Sequence, residues 1–268
     1  ERRGPSTAQK ELIAETNFNV YNLITLFLTR DKIKALLELQ DDQRFSDSDF
    51  KDAAAGADAN LKYNFYLTGC IGVGKSTTAN QLRSLNVIDE WQEVRPALLA
   101  KSWESLSARQ RKTVDEWIVS QFGKKNSTLR DNGPGIAIVD RPPLDPLAFT
   151  PERSRPAKAK ALLDRMCPNR RRQKSARVEE GTVILLVGDP DVLAARVRET
   201  GREDYSREEL EKMQNAMLQI YQGPGIHVID TKHLSVQEVT RRVATIVHRT
   251  PYEPCDVHEA LEGYENAI

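Results

Sequence analysis

One octet constrains this chain more than any other stretch: Gly69-Cys70-Ile71-Gly72-Val73-Gly74-Lys75-Ser76. It matches the pattern G-x-x-x-x-G-K-[ST] without a departure. The chemistry requires these residue types. Gly69, Gly72 and Gly74 let the backbone wrap inward around Val73, so that several N–H groups face phosphate oxygens. Lys75 has the reach for β- and γ-phosphates, and the Ser76 hydroxyl can hold Mg²⁺. Thr77 follows where a helix should open, and a helix N-terminus adds partial positive charge. The flanks fit: Leu61–Leu67 reads as a strand and Thr77–Leu85 as a helix. A chain with this loop is expected to bind a nucleotide.

Beyond Leu61, strand and helix signals alternate, which argues for a parallel sheet with helices on both faces. The candidate strands are Leu61–Leu67, Val87–Val94, Ile136–Val139, Thr182–Val187 and Ile226–Ile229. Ser107 with Gln110, Ser206 with Glu209 and Ser235 with Glu238 are spaced as capping boxes ahead of apolar stripes. Asp189-Pro190 pairs a cap with a first-turn proline. Three regions follow: residues 1–60 as an N-terminal helical extension and linker, 61–250 as the nucleotide-binding domain, and 251–268 as a C-terminal tail. In the first, Leu23, Ile24, Phe27, Leu28, Ile33, Leu36 and Leu37 roughly hold a helical face. That face either packs on the core or serves a dimer or protein partner.

Composition narrows the class. Lysine and arginine number 39 and aspartate and glutamate 39, so no global polyelectrolyte signal exists. The three cysteines, Cys70, Cys167 and Cys255, are far apart and predict neither a disulfide framework nor a metal cluster. A reducing, intracellular and cytoplasmic home is expected. No apolar run approaches the ~20 residues of a membrane span. The first residue is Glu1, not Met, so targeting is not readable.

Other constellations suggest what happens to the phosphate. The third strand delivers Asp140 to its C-terminal edge, where open α/β sheets build their sites. Asp140 can organise Mg²⁺ or take a proton, and Arg141 can clamp a phosphate. In "DEWQEVRP", Glu93 and Arg95 share a face if the second strand continues that far. Glu93 would then be a general base and Arg95 an acceptor-holding cation; Glu90 and Asp89 compete for the acidic role. "RVRETGRED" offers Arg196, Arg198 and Arg202 for a lid over the phosphates, with Gly201 permitting a bend.

The loop, the Asp-Arg pair and this lid resemble the thymidylate kinase and deoxynucleoside kinase superfamily over about residues 61–250. The final strand and helix, "GIHVIDTKHLSVQEVTRRVATIV", are similar too. The resemblance implies a P-loop kinase fold, with ATP and Mg²⁺ used to phosphorylate a nucleoside or nucleoside monophosphate. It implies that Asp140 and Arg141 meet the metal and the acceptor end, that Glu93 serves as base, and that Arg196 and Arg202 are lid arginines. The chain departs from the family at Pro142-Pro143, which follow Arg141 and cannot donate backbone hydrogen bonds. It departs again at 153–177, where ten Lys or Arg face one acid, Asp164.

Three readings remain open at this level. The first is a small-acceptor kinase using Lys75, Asp140, Arg141, Glu93 and Arg202. The second is a polynucleotide or nucleic-acid base kinase using the basic 153–177 segment. The third is a nucleotide-dependent regulator without a small acceptor, whose N-terminal helices bind a protein partner. Asp140-Arg141 and the lid argue against the third, because a simple switch needs neither.

Overall fold

The structure, a computed structural model, describes residues 62–267 apart from 102, 134, 171, 173–175 and 200–204. The expected N-terminal helices and linker, at 1–60, lie outside the described residues. Among the described residues, Asn64–Leu82, Val87–Asn132 and those from Ile138 onward form one compact unit.

The architecture is α/β, as the alternating pattern predicts: a five-stranded parallel sheet with helices on both faces. The strands are β1 (Lys62–Gly69), β2 (Asn86–Ile88), β3 (Gly135–Asp140), β4 (Thr182–Val187) and β5 (Ile226–Asp230), in the order β2-β3-β1-β4-β5. Phe65 stands opposite Thr182 and Gly69 opposite Leu186; Val183 stands opposite Ile226 and Val187 opposite Asp230. β4 reads as an apolar run from Val183 to Val187 and β1 as an apolar centre at Phe65–Leu67, because both faces of a central parallel strand are covered. Accordingly Phe65, Tyr66 and Leu67 of β1 and Val183–Leu186 of β4 are buried. The chain leaves β1 for one side of the sheet and later returns to its other side as β4. That reversal opens a crevice at the C-terminal end of β1, where a ligand can enter.

The helices are α1 (Lys75–Gln81), α2 (Ala108–Asp131), α3 (Asp145–Ala148), α4 (Arg155–Met166), α5 (Pro190–Glu199), α6 (Arg207–Ile220), α7 (Val236–Arg249) and α8 (Val257–Asn266). All three expected capping boxes form, at Ser107, Ser206 and Ser235, each bonding reciprocally with the residue three positions on. Each closes two orphan N–H groups at a helix start.

Two expected elements end early. α1 stops at Gln81 instead of Leu85, where the Leu82 N–H turns to the Ala79 carbonyl at 3.0 Å. β2 stops at Ile88 instead of Val94, and Val94 is 93% exposed. Beyond Ile88 the chain is claimed by α2 in place of the sheet. The Gln92 N–H donates to Gln121 Oε1 at 2.9 Å, and Trp91 packs on Trp117 with ring centroids 5.0 Å apart. The strand-face argument for Glu93 and Arg95 therefore does not hold.

The stretch after residue 250 includes a helix, α8, tied to the α4 region by charge. Arg170 donates to both carboxylate oxygens of Glu265 at 2.8 Å and to Asp164 at 3.0 Å. The Arg170 bond holds the Glu265 carboxyl below its ordinary value of 4.5. Such a group stabilises the fold above its unfolded pKa, and the contribution is lost as pH falls through the folded one. Glu265→Gln should therefore lower the melting temperature modestly at pH 6, the pair being partly solvated. The gap between variant and wild type should close in melts taken toward pH 3; a gap unchanged with pH would refute this account.

Candidate active site

The phosphate loop leaves β1 at the crevice. Gly69 is compelled by space: a Cβ there would lie 2.4 Å from the Leu186 carbonyl oxygen of β4. Gly72 stands against Leu193 and Val197 of α5. Gly74 holds φ at 100°, a left-handed conformation that glycine adopts without penalty. A Cβ built on it meets nothing within 4 Å, so the mouth of the loop is open there. Val73 is buried beneath the loop, while the Ser76 and Thr77 side chains are exposed at the start of α1. Lys75 is buried, and its Nζ donates to the carbonyls of Gly69 at 2.9 Å and Cys70 at 3.3 Å. Burial lowers its pKa to about 8; Arg141 adds to this, and Asp140, Glu90 and Asp145 work against it. The ammonium is thus seated inside the loop and electrostatically coupled to the end of β3. Cys70 lies buried with its thiol toward the Leu210 carbonyl and Met213 Sδ, and burial pushes its pKa up. It is placed as a core residue, not a nucleophile.

Asp140 ends β3, buried, and its Oδ1 has no hydrogen-bond partner among the described residues. Burial holds its pKa above the ordinary aspartate value. A buried, unpaired carboxylate oxygen is costly and calls for a cation or donor from beyond the described residues. Among the described residues no group of three or more His, Cys, Asp or Glu could cage a metal ion. An aspartate oxygen and a serine hydroxyl are hard oxygen donors of the kind Mg²⁺ takes, one or two from the protein beside waters and substrate phosphates. Asp140 Oδ1 and the exposed Ser76 hydroxyl fit such a role, and the open mouth at Gly74 fits a phosphate chain.

Arg141 occupies the next position with φ 66°, the single positive φ outside glycine among the described residues. Its N–H returns to the Leu67 carbonyl at 3.0 Å. Its guanidinium is shared by two carboxylates, Glu90 Oε1 at 2.5 Å and Asp145 Oδ2 at 3.0 Å. Phe149 lies under it, 5.4 Å from guanidinium carbon to ring centroid. Burial works against its charge, but Glu90, Asp145 and Asp140 outweigh that and raise its pKa. Burial also works on Glu90, yet Arg141 and Lys75 prevail and hold its carboxyl below the ordinary value.

Asp145 is the hub of this cluster. Its Oδ1 accepts from Thr68 Oγ1 at 2.5 Å and from Tyr221 OH at 2.6 Å, so β1, α3 and the end of α6 converge on one carboxylate. Sequence reasoning passed over Asp145, Thr68 and Tyr221. Asp145 looks like an ordinary helix-opening residue before Pro146, and no spacing rule links it to a tyrosine 76 residues away. Lys125 was also missed. Its signal was a lysine three residues after Phe122 on the buried face of α2, where a solvated cation does not belong.

The other expected residues have partners or positions of their own, or lie outside the described residues. Glu93 is exposed, ion-paired with Lys124 and accepting from Gln121 Nε2 at 3.0 Å. These two bonds hold its carboxyl below the ordinary value. Arg95 is exposed, with Nη2 3.4 Å from the Leu99 carbonyl. Arg196 is half-buried and Arg198 exposed near the end of α5. Arg202 and the Gly201 bend lie outside the described residues. In the basic segment, Lys158 pairs with Asp115, Lys160 with Asp164, Arg170 with Asp164 and Glu265, and Arg177 with Asp256. Much of that local charge is balanced internally, which weakens its claim on a polynucleotide. No helix among the described residues is long and apolar enough to cross a membrane.

Comparison with known proteins bears on the fold. A family model described as an AAA domain matches residues 64–238. No curated protein matches at the sequence level. Among solved structures, the thymidylate kinase from Candida albicans is similar at 15% identity, over 70% of this chain and 91% of that one, with a TM-score of 0.52. The deoxyadenosine kinase from M. mycoides aligns at 15% identity, over 68% and 97%, with a TM-score of 0.49. A tunicamycin resistance protein from Deinococcus radiodurans aligns at 19% identity, over 71% and 98%, with a TM-score of 0.44. At 15% identity, what the match to the thymidylate kinase shows is the P-loop kinase-like fold.

Proposed function

The chain belongs to the AAA-domain family, and on that footing we propose that it is an ATP- and Mg²⁺-dependent phosphotransferase acting on a small acceptor, a nucleoside or nucleoside monophosphate. The observation that carries this reading is the position of Asp140-Arg141. A carboxylate with an unpartnered oxygen and a guanidinium beside it lie in the electrostatic reach of Lys75. A nucleotide switch needs the loop but has no use for a second constellation of this kind. We assign the catalytic unit to residues 61–250, with 1–60 as an extension and 251–268 as an appendage.

The loop N–H groups from Gly69 to Gly74 would hold the phosphates, with Thr77 at their far side. The Lys75 ammonium would exchange the Gly69 and Cys70 carbonyls for phosphate oxygens. Ser76 and Asp140 would hold Mg²⁺, which supplies charge neutralisation at the transferring group when bound. Phosphoryl transfer asks for positioning and electrostatics more than covalent help from the protein. Glu90, ionised beside Arg141, would accept and orient the attacking hydroxyl, the role the sequence assigns to Glu93. Arg141 would offset developing charge, while Arg95 would meet the acceptor and Arg196, Arg198 and Arg202 would close over the nucleotide.

The test is ATP consumption by the full chain with Mg²⁺ against nucleosides, nucleoside monophosphates and short DNA or RNA. Stimulation by one small acceptor is expected. Stimulation by polynucleotide alone would replace this reading with the nucleic-acid one, and silence would discard both. With the acceptor in hand, Glu90→Gln should lower kcat about 100-fold, the lower end of general-base effects. Glu93→Gln should stay within a few-fold of wild type; the reverse order would return the base to Glu93.

A further inference from the structure

Lys125 is a buried cation with no part in the transfer step. It sits on the inner face of α2 with Phe122, Asn126 and Leu129. Burying an ammonium is costly unless every N–H finds a partner. Here each has one. Nζ donates to the Asp140 carbonyl at 2.8 Å and the Arg141 carbonyl at 2.9 Å, and lies 4.3 Å from the Phe122 ring centroid. The two carbonyls belong to consecutive residues at the point where Arg141 takes its left-handed φ of 66°.

A non-glycine residue in that region is strained and persists only if its surroundings over-determine it. Arg141 is held on one side by its own N–H, bonded to Leu67. The carbonyls of the peptide groups before and after its Cα are drawn onto one ammonium, which fixes both peptide planes. The strained turn is what presents the guanidinium to Glu90 and Asp145. We infer that Lys125 is a positioning residue: through the Asp140 and Arg141 carbonyls it holds the left-handed turn that aims the Arg141 guanidinium into the transfer site. Lys125 also lines a small cavity with Arg141, Phe122 and Pro143, beside the turn it holds. The inference rests on the phosphotransferase reading for its kinetic consequence, but not for its geometry.

The test is Lys125→Met, which keeps the stem and removes the ammonium, applied to the full chain. Arg141 Nε–H is bonded to Glu90 at 2.5 Å, and the side chain is 12% exposed. In protein labelled with ¹⁵N-arginine it should give a signal protected from solvent exchange, assigned by its loss in Arg141→Lys. In folded Lys125→Met that signal should disappear or shift. Kinetically, kcat should fall about 100-fold, the scale of a small misplacement, with KM for ATP within about three-fold, since the loop is untouched. Added to Arg141→Lys, the same change should cost little more, as expected of residues acting as one unit.

An unchanged Arg141 signal in the folded variant, or losses that multiply, would overturn the inference. Lys125→Gln, which keeps a donor, is the second variant. If neither folds, Lys125 is structural and the positioning role is rejected. If the wild type transfers phosphate to no acceptor, the phosphotransferase reading fails, while the arginine signal still decides whether Lys125 holds the turn.

Discussion

Lys75→Ala should reduce phosphoryl transfer by about 10²–10³-fold, the cost of removing one donor aimed at developing charge, while the melting temperature stays within a few degrees. The two halves of this result have separate causes. Transfer suffers because the ammonium is the cation the loop itself contributes, already seated inside it by bonds to Gly69 and Cys70. Stability does not suffer, because in the nucleotide-free chain this ammonium is a desolvated charge, its pKa lowered to about 8 by burial. Its hydrogen-bond partners are carbonyls, and the carboxylates that feel its charge, Asp140, Glu90 and Asp145, keep Arg141 as a counter-charge. ATP turnover and thermal melts on one preparation check both halves. Wild-type turnover in the variant would sink the nucleotide assignment; a large loss of stability would show that Lys75 holds the loop together.

Asp145→Ala should have the opposite profile, a loss of about 3–5 kcal/mol, because it breaks a buried ion pair and leaves its partners unpaired. The Asp145 side chain is 1% exposed and satisfies Arg141, Thr68 and Tyr221 at once. Without it the guanidinium keeps Glu90 alone, and two hydroxyls lose their acceptor. For a domain of this size the fall in melting temperature should be on the order of 10 °C. Tyr221→Phe, which removes one of the three donors, should cost about 1 kcal/mol. Denaturant titrations of the two variants check the ratio. Equal small effects would mean that the cluster is solvated in solution and that Arg141 is not held there.

Much of the frame was legible in advance because its signals are local. The loop is a contiguous pattern, the three capping boxes are i, i+3 pairs, and β3 and β4 announce burial by apolar runs. Asp140 was legible as the last residue of such a run in a fold that builds sites at strand ends. The reading failed where a long-range partner outcompeted a local tendency. β2 was extended to Val94 on the strength of its residues, but Gln121 and Trp117 of α2 take the chain from Gln92 and Trp91. That turn-off leaves Glu90, and not Glu93, against Arg141.

The sequence by itself determined the sheet class, the helix starts and the presence of a phosphate loop, because each depends on residues within a few positions of one another. Only the tertiary structure decided which carboxylates Arg141 faces, that Asp145 gathers three donors, and that Lys125 holds the turn at the end of β3. Those pairings join residues 4 to 77 positions apart. The longer ones exist because burial forces each polar group in the crevice to find a partner from another element.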